Sequence, residues 1–352
     1  MKIFLTGATG FIGLELVHAM KKRGWEVTCL VRNAKGESAQ YLKKQGCNLH
    51  QGDITQEGGM AEVMKDMDVV IHAAGVYELG GSSAQKQKMH KINIEGTTNV
   101  FEAVLQAEVA KVIYISSVIA LGASSYCPDD PVVKDENHSP DGRNLTPYGE
   151  SKARAHEVAV GYRDKGVSVN VVMPNATVGV NDHSNMGYFL RLHLLKRMVP
   201  MGFGGDCVIA PVLVDSLAKG ICLVAEKAPP QEDYIFSGEP TTFKEIFALF
   251  NKHPGGAKVR FWLPRWLMYP IAALLEPLQR AAGIPSVISR DAVDLTRGHL
   301  NFSSTKAKQD LGWTHPSRED MWEKIIEKER VLIGRRKGFF NKLRHQSGRA
   351  EV

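Results

Sequence analysis

The stretch Thr6-Gly7-Ala8-Thr9-Gly10-Phe11-Ile12-Gly13 constrains this chain more than any other, because it links an apolar run to a run of helical periodicity. Met1 to Leu5 reads as a strand. Leu14 to Arg23 continues a helix, with Leu14, Val17, Ala19 and Met20 inward and Lys21, Lys22 and Arg23 charging its last turn. A glycine-rich elbow between strand and helix leaves backbone N–H groups free at the helix N-terminus, where the dipole favours an anion such as a pyrophosphate. Gly7 is expected to permit the tight turn, Gly10 to let phosphate approach the backbone, and Gly13 to let the helix lie close to the sheet. Thr9, Phe11 and Ile12 complete this expected cofactor-binding turn. The spacing is G-x-x-G-x-x-G, so its weight comes from the strand-turn-helix context and from the elements downstream.

After this helix, Glu26 to Val31, Asn48 to Gln51, Asp68 to His72, Lys111 to Ile115 and Val167 to Met173 read as further strands, with helical stretches such as Ser82 to Gln106 between them. That alternation predicts an α/β fold, a doubly wound parallel sheet of the Rossmann type with both faces covered. Past Gly179 the alternation fails. Helical stretches at Tyr188 to Met198 and Ser216 to Ala225, and capping-box starts at Thr242-x-x-Glu245 and Ser317-x-x-Asp320, predict a smaller, mostly helical unit. It is expected over the carboxyl ends of the strands, where open α/β sheets bind ligands. The expected boundaries are 1–179 for a dinucleotide-binding domain, 180–332 for a substrate domain with some elements returning to the sheet, and 333–352 for a basic tail.

Composition acts mainly by exclusion. An apolar content of 43% and a charged content of 23% are those of a soluble globular protein. The net charge of +6 is local: from Arg330 onward seven Lys/Arg stand against one acid, Glu351, so the rest of the chain is neutral and no nucleic-acid-binding body is expected. Five cysteines without C-x-x-C spacing predict a reducing compartment, and twelve histidines without H-x-x-H or H-E-x-x-H spacing predict no metal site. Met1 opens directly into the first strand, so no signal peptide is expected and the reading is cytoplasmic. No G-x-S-x-G elbow surrounds Ser116 or Ser117, which argues against an acyl nucleophile.

Three places carry chemistry. Arg32 closes the second strand, beside the expected adenosine ribose, where an arginine pairs with a 2′-phosphate and an acid would accept from a 2′-hydroxyl; it favours NADP, with NAD as the alternative. Ala73-Ala74-Gly75 comes after the fourth strand, and its small side chains let the backbone approach the cofactor. Thr146-Pro147 opens a helix that places Tyr148 and Lys152 at i and i+4 on one face, where the lysine is expected to lower the phenol pKa toward the range for proton transfer. The pair stands one loop after Ser116-Ser117 on a dinucleotide-binding scaffold, which is what hydride transfer to a carbonyl requires.

Over nearly the whole chain, to about Trp322, these features resemble the extended short-chain dehydrogenase/reductase family, of NAD-dependent epimerase/dehydratase type. The resemblance rests on Gly7, Gly10 and Gly13, Gly52-Asp53-Ile54, His72-Ala73-Ala74-Gly75, Asn93 to Asn99, Ser116-Ser117, Tyr148 with Lys152, Pro174 to Gly179, Val214-Asp215 and Leu311-Gly312-Trp313. Val31-Arg32-Asn33 and Met173-Pro174-Asn175 are more similar to the dihydroflavonol reductase and 3β-hydroxysteroid dehydrogenase branch than to the sugar epimerases, which usually carry an arginine where Met173 stands. The resemblance implies Tyr148 as acid/base, Lys152 as the residue that lowers its pKa and holds the nicotinamide ribose, and Ser117 as the hydrogen-bond partner of the substrate oxygen. It also implies Asp53 and Ile54 at the adenine, and Asn93, Pro174 and Val178 at the cofactor.

The expected function is an NADP-dependent oxidoreductase that interconverts a secondary alcohol and a ketone on a fairly apolar small molecule. The alternatives are a nucleotide-sugar epimerase or dehydratase with tightly held NAD and a non-catalytic dinucleotide sensor. The substrate pocket is expected from Val76, Tyr77, Ser117, Ile119, Asn175, Met186, Tyr188 and Phe189. A homodimer is a candidate assembly. Residues 262–282, rich in Trp, Leu, Tyr, Met and Ala, and the basic-aromatic tail suit a peripheral membrane contact, against the bland reading of a roof over the pocket and a solvated end.

Overall fold

The computed structural model describes residues 1–253 and 258–335. Seven parallel strands form its central sheet: β1 (Lys2–Thr6), β2 (Glu26–Val31), β3 (Asn48–Gln51), β4 (Val69–His72), β5 (Val112–Ile115), β6 (Val169–Pro174) and β7 (Tyr234–Phe236). Their order is β7-β6-β5-β4-β1-β2-β3. Ile3 lies in register with Val27 on one side and Val69 on the other, and Ile235 with Met173 at the far edge. Strand β7 arrives from beyond residue 180, so the chain past Gly179 returns one strand to the sheet.

The period-two alternation of these strands divides the interior into two cores. Ile3, Leu5, Ile71 and Ile113 face one side, together with Leu16, Val17 and Met20 of α1 (Phe11–Lys21). Phe4, Val70, Val112 and Tyr114 face the other, with Val100, Phe101 and Val104 of α2 (Gly96–Ala107) and Ala155 and Ala159 of α3 (Pro147–Gly161). Helix α4 (Val214–Lys227) packs beside α1 through Leu217 and Ile221. Trp313 closes this side, its indole donating to the Ser216 carbonyl at 2.8 Å.

The long helix expected over Ser82 to Gln106 is broken into three parts: an α-helix at Ser83–His90, a π-helical turn at Lys91–Glu95, and α2. The wide turn carries Asn93, and such turns recur where a helix must re-aim a side chain. Beyond Gly179 the chain forms a helix at Asn185–Leu194, short strand pairs, a capped helix at Phe243–Lys252 and α5 (Arg265–Ala281). The tail from residue 336 lies outside the described residues.

Candidate active site

The carboxyl ends of β1, β4, β5 and β6 open on one edge of the sheet, at the point where strand order reverses between β1 and β4. Gly7 takes a positive φ of 75° there, and a Cβ on it would sit 2.6 Å from the Ala74 nitrogen, so its freedom serves both turn and close packing. Gly13 is tighter still. A Cβ on it would come within 2.1 Å of the Gly7 carbonyl oxygen, so its bare backbone lets the helix approach the residue that directly follows β1. Gly10, by contrast, would meet only the Gly7 oxygen, at 3.2 Å, and stays open outward.

The first turn of α1 has no side-chain cap and no acid, although α3 is capped by Thr146 and the Phe243–Lys252 helix by a full capping box. Thr9 is exposed, and Phe11 and Ile12 are half-buried. A glycine-open cradle at an uncapped helix N-terminus fits a pyrophosphate. Arg32 is exposed at the end of β2. The Asp53 carboxylate accepts from the backbone and hydroxyl of Thr55, both at 2.9 Å, and Ile54 is held by Asn99, whose amide donates to its carbonyl at 2.9 Å.

His72, to which the sequence assigns no role, organises the cleft floor. The Ala74 N–H donates to Thr6 Oγ1 at 3.2 Å, and the Thr6 hydroxyl donates to His72 Nδ1 at 2.7 Å. His72 Nε2 then donates to Thr97 Oγ1 at 3.0 Å, and Thr97 donates to the Asn93 carbonyl at 2.6 Å. Each hydroxyl has one proton, so this chain of donors assigns the imidazole as neutral with its proton on Nε2. Burial, aided by the Lys152 cation, depresses His72 to about 3. The wire ties β1 and β4 to the π-helical turn, and so places Asn93. The amide of Asn93 accepts from the Val76 N–H at 2.8 Å and donates to the Val76 carbonyl and Ser151 Oγ, both at 3.0 Å. Its side chain thus fastens the Val76 loop to α3.

Ser151 accordingly belongs to the site as well, and it donates to the Tyr148 carbonyl at 2.8 Å. The signal available in the sequence was its i+3 spacing from Tyr148. The two serines after β5 diverge: Ser116 is buried on His156 Nδ1 at 3.0 Å, whereas Ser117 turns toward β6 and donates to the Pro174 carbonyl at 3.3 Å. Lys152 is buried and donates to the Ile115 carbonyl at 3.0 Å, with its ammonium 5.2 Å from the Tyr114 ring centroid. Burial brings its pKa down to about 8. The Ile115 carbonyl is the only acceptor that Lys152 finds among the described residues, so two of its three N–H donors remain for a hydroxyl-bearing ligand such as a ribose.

The expectation that Lys152 lowers the Tyr148 pKa is corrected. Burial pushes the phenol up to about 12, and the Lys152 ammonium is turned to the Ile115 carbonyl, with no hydrogen bond joining it to Tyr148 among the described residues. Tyr77 packs edge-on against the Tyr148 ring at 4.9 Å, and Ile119 lies against Gly149, next to that ring in the chain.

Other expected substrate residues stand elsewhere. The Asn175 amide is buried and consumed: it donates to the Leu300 carbonyl at 2.8 Å and the Ser237 hydroxyl at 3.3 Å, and accepts from Ala176 at 2.8 Å. It joins β6 to the loop after β7 and has nothing to offer a substrate. Met186 is buried in the core and Phe189 meets Phe247 edge-on at 5.9 Å between ring centroids, whereas Tyr188 is half-buried. Val178 lies in the core, paired in register with Leu213. No group of three His, Cys, Asp or Glu among the described residues could hold a metal ion.

The sequence profile of the NAD dependent epimerase/dehydratase family matches residues 3–235. The chain is 27% identical over 319 residues to the 4-hydroxy-2-methyl-3-oxo-4-farnesyl-3,4-dihydroquinoline-1-oxide ketoreductase of Stigmatella aurantiaca, covering 89% of this chain and 92% of that one. It is 25% identical over 322 residues to a putative dihydroflavonol 4-reductase of Synechocystis, covering 88% and 89%. In three dimensions it is similar to the crystal structure of gox2253, with a TM-score of 0.77 and 29% identity over 94% of this chain and 98% of that one. With fold, glycine cradle and profile in agreement, the chain belongs to the NAD-dependent epimerase/dehydratase family, within the extended short-chain dehydrogenase/reductases, and is an NAD(P)-dependent enzyme.

Proposed function

We propose that this enzyme uses NADP to interconvert a secondary alcohol and a ketone on an apolar small molecule. The observation that carries the reading is a half-buried Tyr148 on the helix that also buries Lys152 with donors to spare, a helix packed through Gly149 against Ile119, just past Ser117. Bound at the glycine cradle, the reduced dinucleotide would supply a hydride to the carbonyl carbon. Tyr148 gives its proton to the carbonyl oxygen as the negative charge develops there. Ser117, freed from its long bond to Pro174, donates the second hydrogen bond that holds that oxygen. Lys152 holds the ribose through the N–H donors that the Ile115 carbonyl leaves spare.

Two features favour an apolar ketone over a sugar nucleotide. Tyr77 brings an aromatic ring to the tyrosine while Ile119 sets an aliphatic chain against the neighbouring Gly149, and Asn175, the polar residue after Pro174, is spent within the fold. The named activities of the two curated relatives, a ketoreductase and a putative dihydroflavonol reductase, point the same way. For the cofactor, Arg32 stands exposed where β2 ends, and a bidentate guanidinium suits a 2′-phosphate.

Purified protein, assayed with NADPH and NADH against apolar cyclic and long-chain ketones and against UDP-sugars, tests the reading. NADPH-dependent turnover of the ketones is expected. Activity confined to UDP-sugars, with NAD copurifying, would replace it with the epimerase reading, and no turnover beside tight dinucleotide binding with the sensor.

A further inference from the structure

Helix α5 is amphipathic in reverse. Its buried positions are Met268, Ala272, Glu276 and Gln279, half of them polar, and Arg280 also turns inward. Every exposed position on it is apolar, and the large ones are Trp266 (76% exposed), Tyr269, Leu274 (68%) and Leu278 (58%). These follow the i, i+3, i+4 spacing of one continuous stripe. The strand that precedes the helix extends the surface with Phe261, 62% exposed and in register with the exposed Met201. A soluble monomer scatters such side chains singly and seldom lines them along successive turns of one helix.

The inward face explains why the helix is not simply misoriented. Burial alone would raise the Glu276 carboxyl, but hydrogen bonds from Arg290 and Arg280 turn the shift downward. Gln279 exchanges two bonds with the Ile288 backbone, at 2.7 and 3.3 Å. Arg280 also donates to the Gly80 carbonyl at 2.8 Å. Every polar group on this side has a partner, so the outward apolar stripe is the orientation that the interior dictates.

We infer that this face docks on the surface of an anionic phospholipid bilayer. The charge pattern selects that occupant. Between residues 258 and 290 the only acid is Glu276, which is 2% exposed and paired, whereas Lys258 and Arg260 stand exposed beside Phe261. Tryptophan, tyrosine and leucine flanked by cations with no exposed acid suit an interfacial helix on anionic headgroups. A symmetric contact between two copies would bring these cations together without a carboxylate on the segment to pair them. Pro270 and Pro277 lie on the exposed side and remove two helical N–H donors, leaving carbonyls that want water. This fits a helix lying in the headgroup region and not one within the hydrocarbon. The described helices include none long and apolar enough to cross a membrane.

The docking face is also wired to the site. Arg280 holds the Gly80 carbonyl, and Asp291, in the next helix (Arg290–Leu295), accepts from the Gly80 N–H at 2.8 Å; Gly80 lies three residues from Tyr77 in the loop that Asn93 clamps at Val76. The bilayer would then deliver an apolar ketone to that loop, a step that rests on the proposed reaction, whereas the docking itself does not.

The test uses the full chain in flotation with mixed phosphatidylcholine–phosphatidylglycerol vesicles and with phosphatidylcholine alone. Binding to the mixed vesicles is expected, weaker at high salt, and at least tenfold reduced in the Trp266→Ser, Leu274→Ser, Leu278→Ser triple variant. Brominated lipid should quench wild-type fluorescence more than that of Trp266→Phe, a comparison that holds even if the triple variant folds poorly. Absence of wild-type binding, unchanged binding by the triple variant, or equal quenching in both proteins would overturn the inference. So would binding lost only on truncation after Leu332, which would assign it to the basic tail, or a dimer dispersed by the triple variant without lipid binding, which would assign the face to a second copy. Activity enters none of these readouts, so failure of the docking and failure of the reaction are separable.

Discussion

Helices α3 and α5 both bury charged side chains, yet they differ in what they show to solvent. Helix α3 exposes Glu150, Arg154 and Glu157 and buries Lys152 among alanines, in the usual pattern with one charge out of place. Helix α5 buries Glu276 and Gln279 and exposes only apolar residues, which inverts the pattern throughout. In α3 the misplaced charge is under-satisfied, with a single carbonyl for three donors, and that deficit is where a ligand belongs. In α5 the buried carboxylate is fully met by Arg280 and Arg290, so the deficit lies outside, on the apolar surface. Under-satisfied polar groups mark a small-molecule site, and under-covered apolar groups mark a surface partner.

The largest effect is expected in α3. Tyr148→Phe is expected to lower kcat about 10²–10⁴-fold while leaving NADPH binding and Tm nearly unchanged, since the hydroxyl has no protein partner among the described residues. Steady-state kinetics beside a nucleotide titration checks this. A retained kcat would remove Tyr148 from the chemistry.

Next comes the pH edge of the same helix. Lys152 is depressed by burial to about 8, so its cation is present below that pH and lost above it. The kcat for ketone reduction should therefore fall as pH rises through about 8. Lys152→Arg, which stays charged, should move that edge upward, and an unmoved edge would assign it to another group.

In α5 the ordinary rule for helix mutations should reverse. Glu276→Leu, adding an apolar residue at a buried position, is expected to cost about 2 kcal/mol by leaving Arg280 and Arg290 without their acceptor. Leu274→Ser, removing an apolar residue, should change stability by no more than about 0.5 kcal/mol. Urea unfolding of the two variants reads both, and the opposite ranking would mean that the stripe is packed and not exposed.

The smallest effect concerns cofactor choice. Arg32→Ala should narrow the preference for NADPH over NADH by about tenfold, the scale of one charge-assisted contact. Equal preference in both proteins would remove Arg32 from that role.

Most of the sheet was legible in the sequence, because its strands are short, continuously apolar runs buried on both faces and its turns carry glycines with steric duties. Gly7 and the uncapped start of α1 could be read at sight. The direction of long polar side chains could not. Lys152 and Tyr148 share a helix face at i and i+4, but spacing does not say that the ammonium turns to the Ile115 carbonyl. Asn175 stands after Pro174 where a ligand contact was expected, and only the path of residues 210, 237 and 300 around it shows that its amide is consumed. His72 was visible as part of a motif, yet its role depends on Thr6 and Thr97, 66 and 25 residues away. The apolar richness of 262–282 was plain, but burial alone separates an inward roof from an outward face.

In the proposed reaction a hydride passes from the dinucleotide to a carbonyl carbon and Tyr148 supplies the proton. Mass spectrometry of the product formed from an apolar ketone and NADPH deuterated at its hydride-donating carbon tests this most directly. Deuterium on the carbinol carbon, absent with Tyr148→Phe over the same interval, is the expected result. Product without deuterium, or undiminished label transfer by Tyr148→Phe, would contradict it.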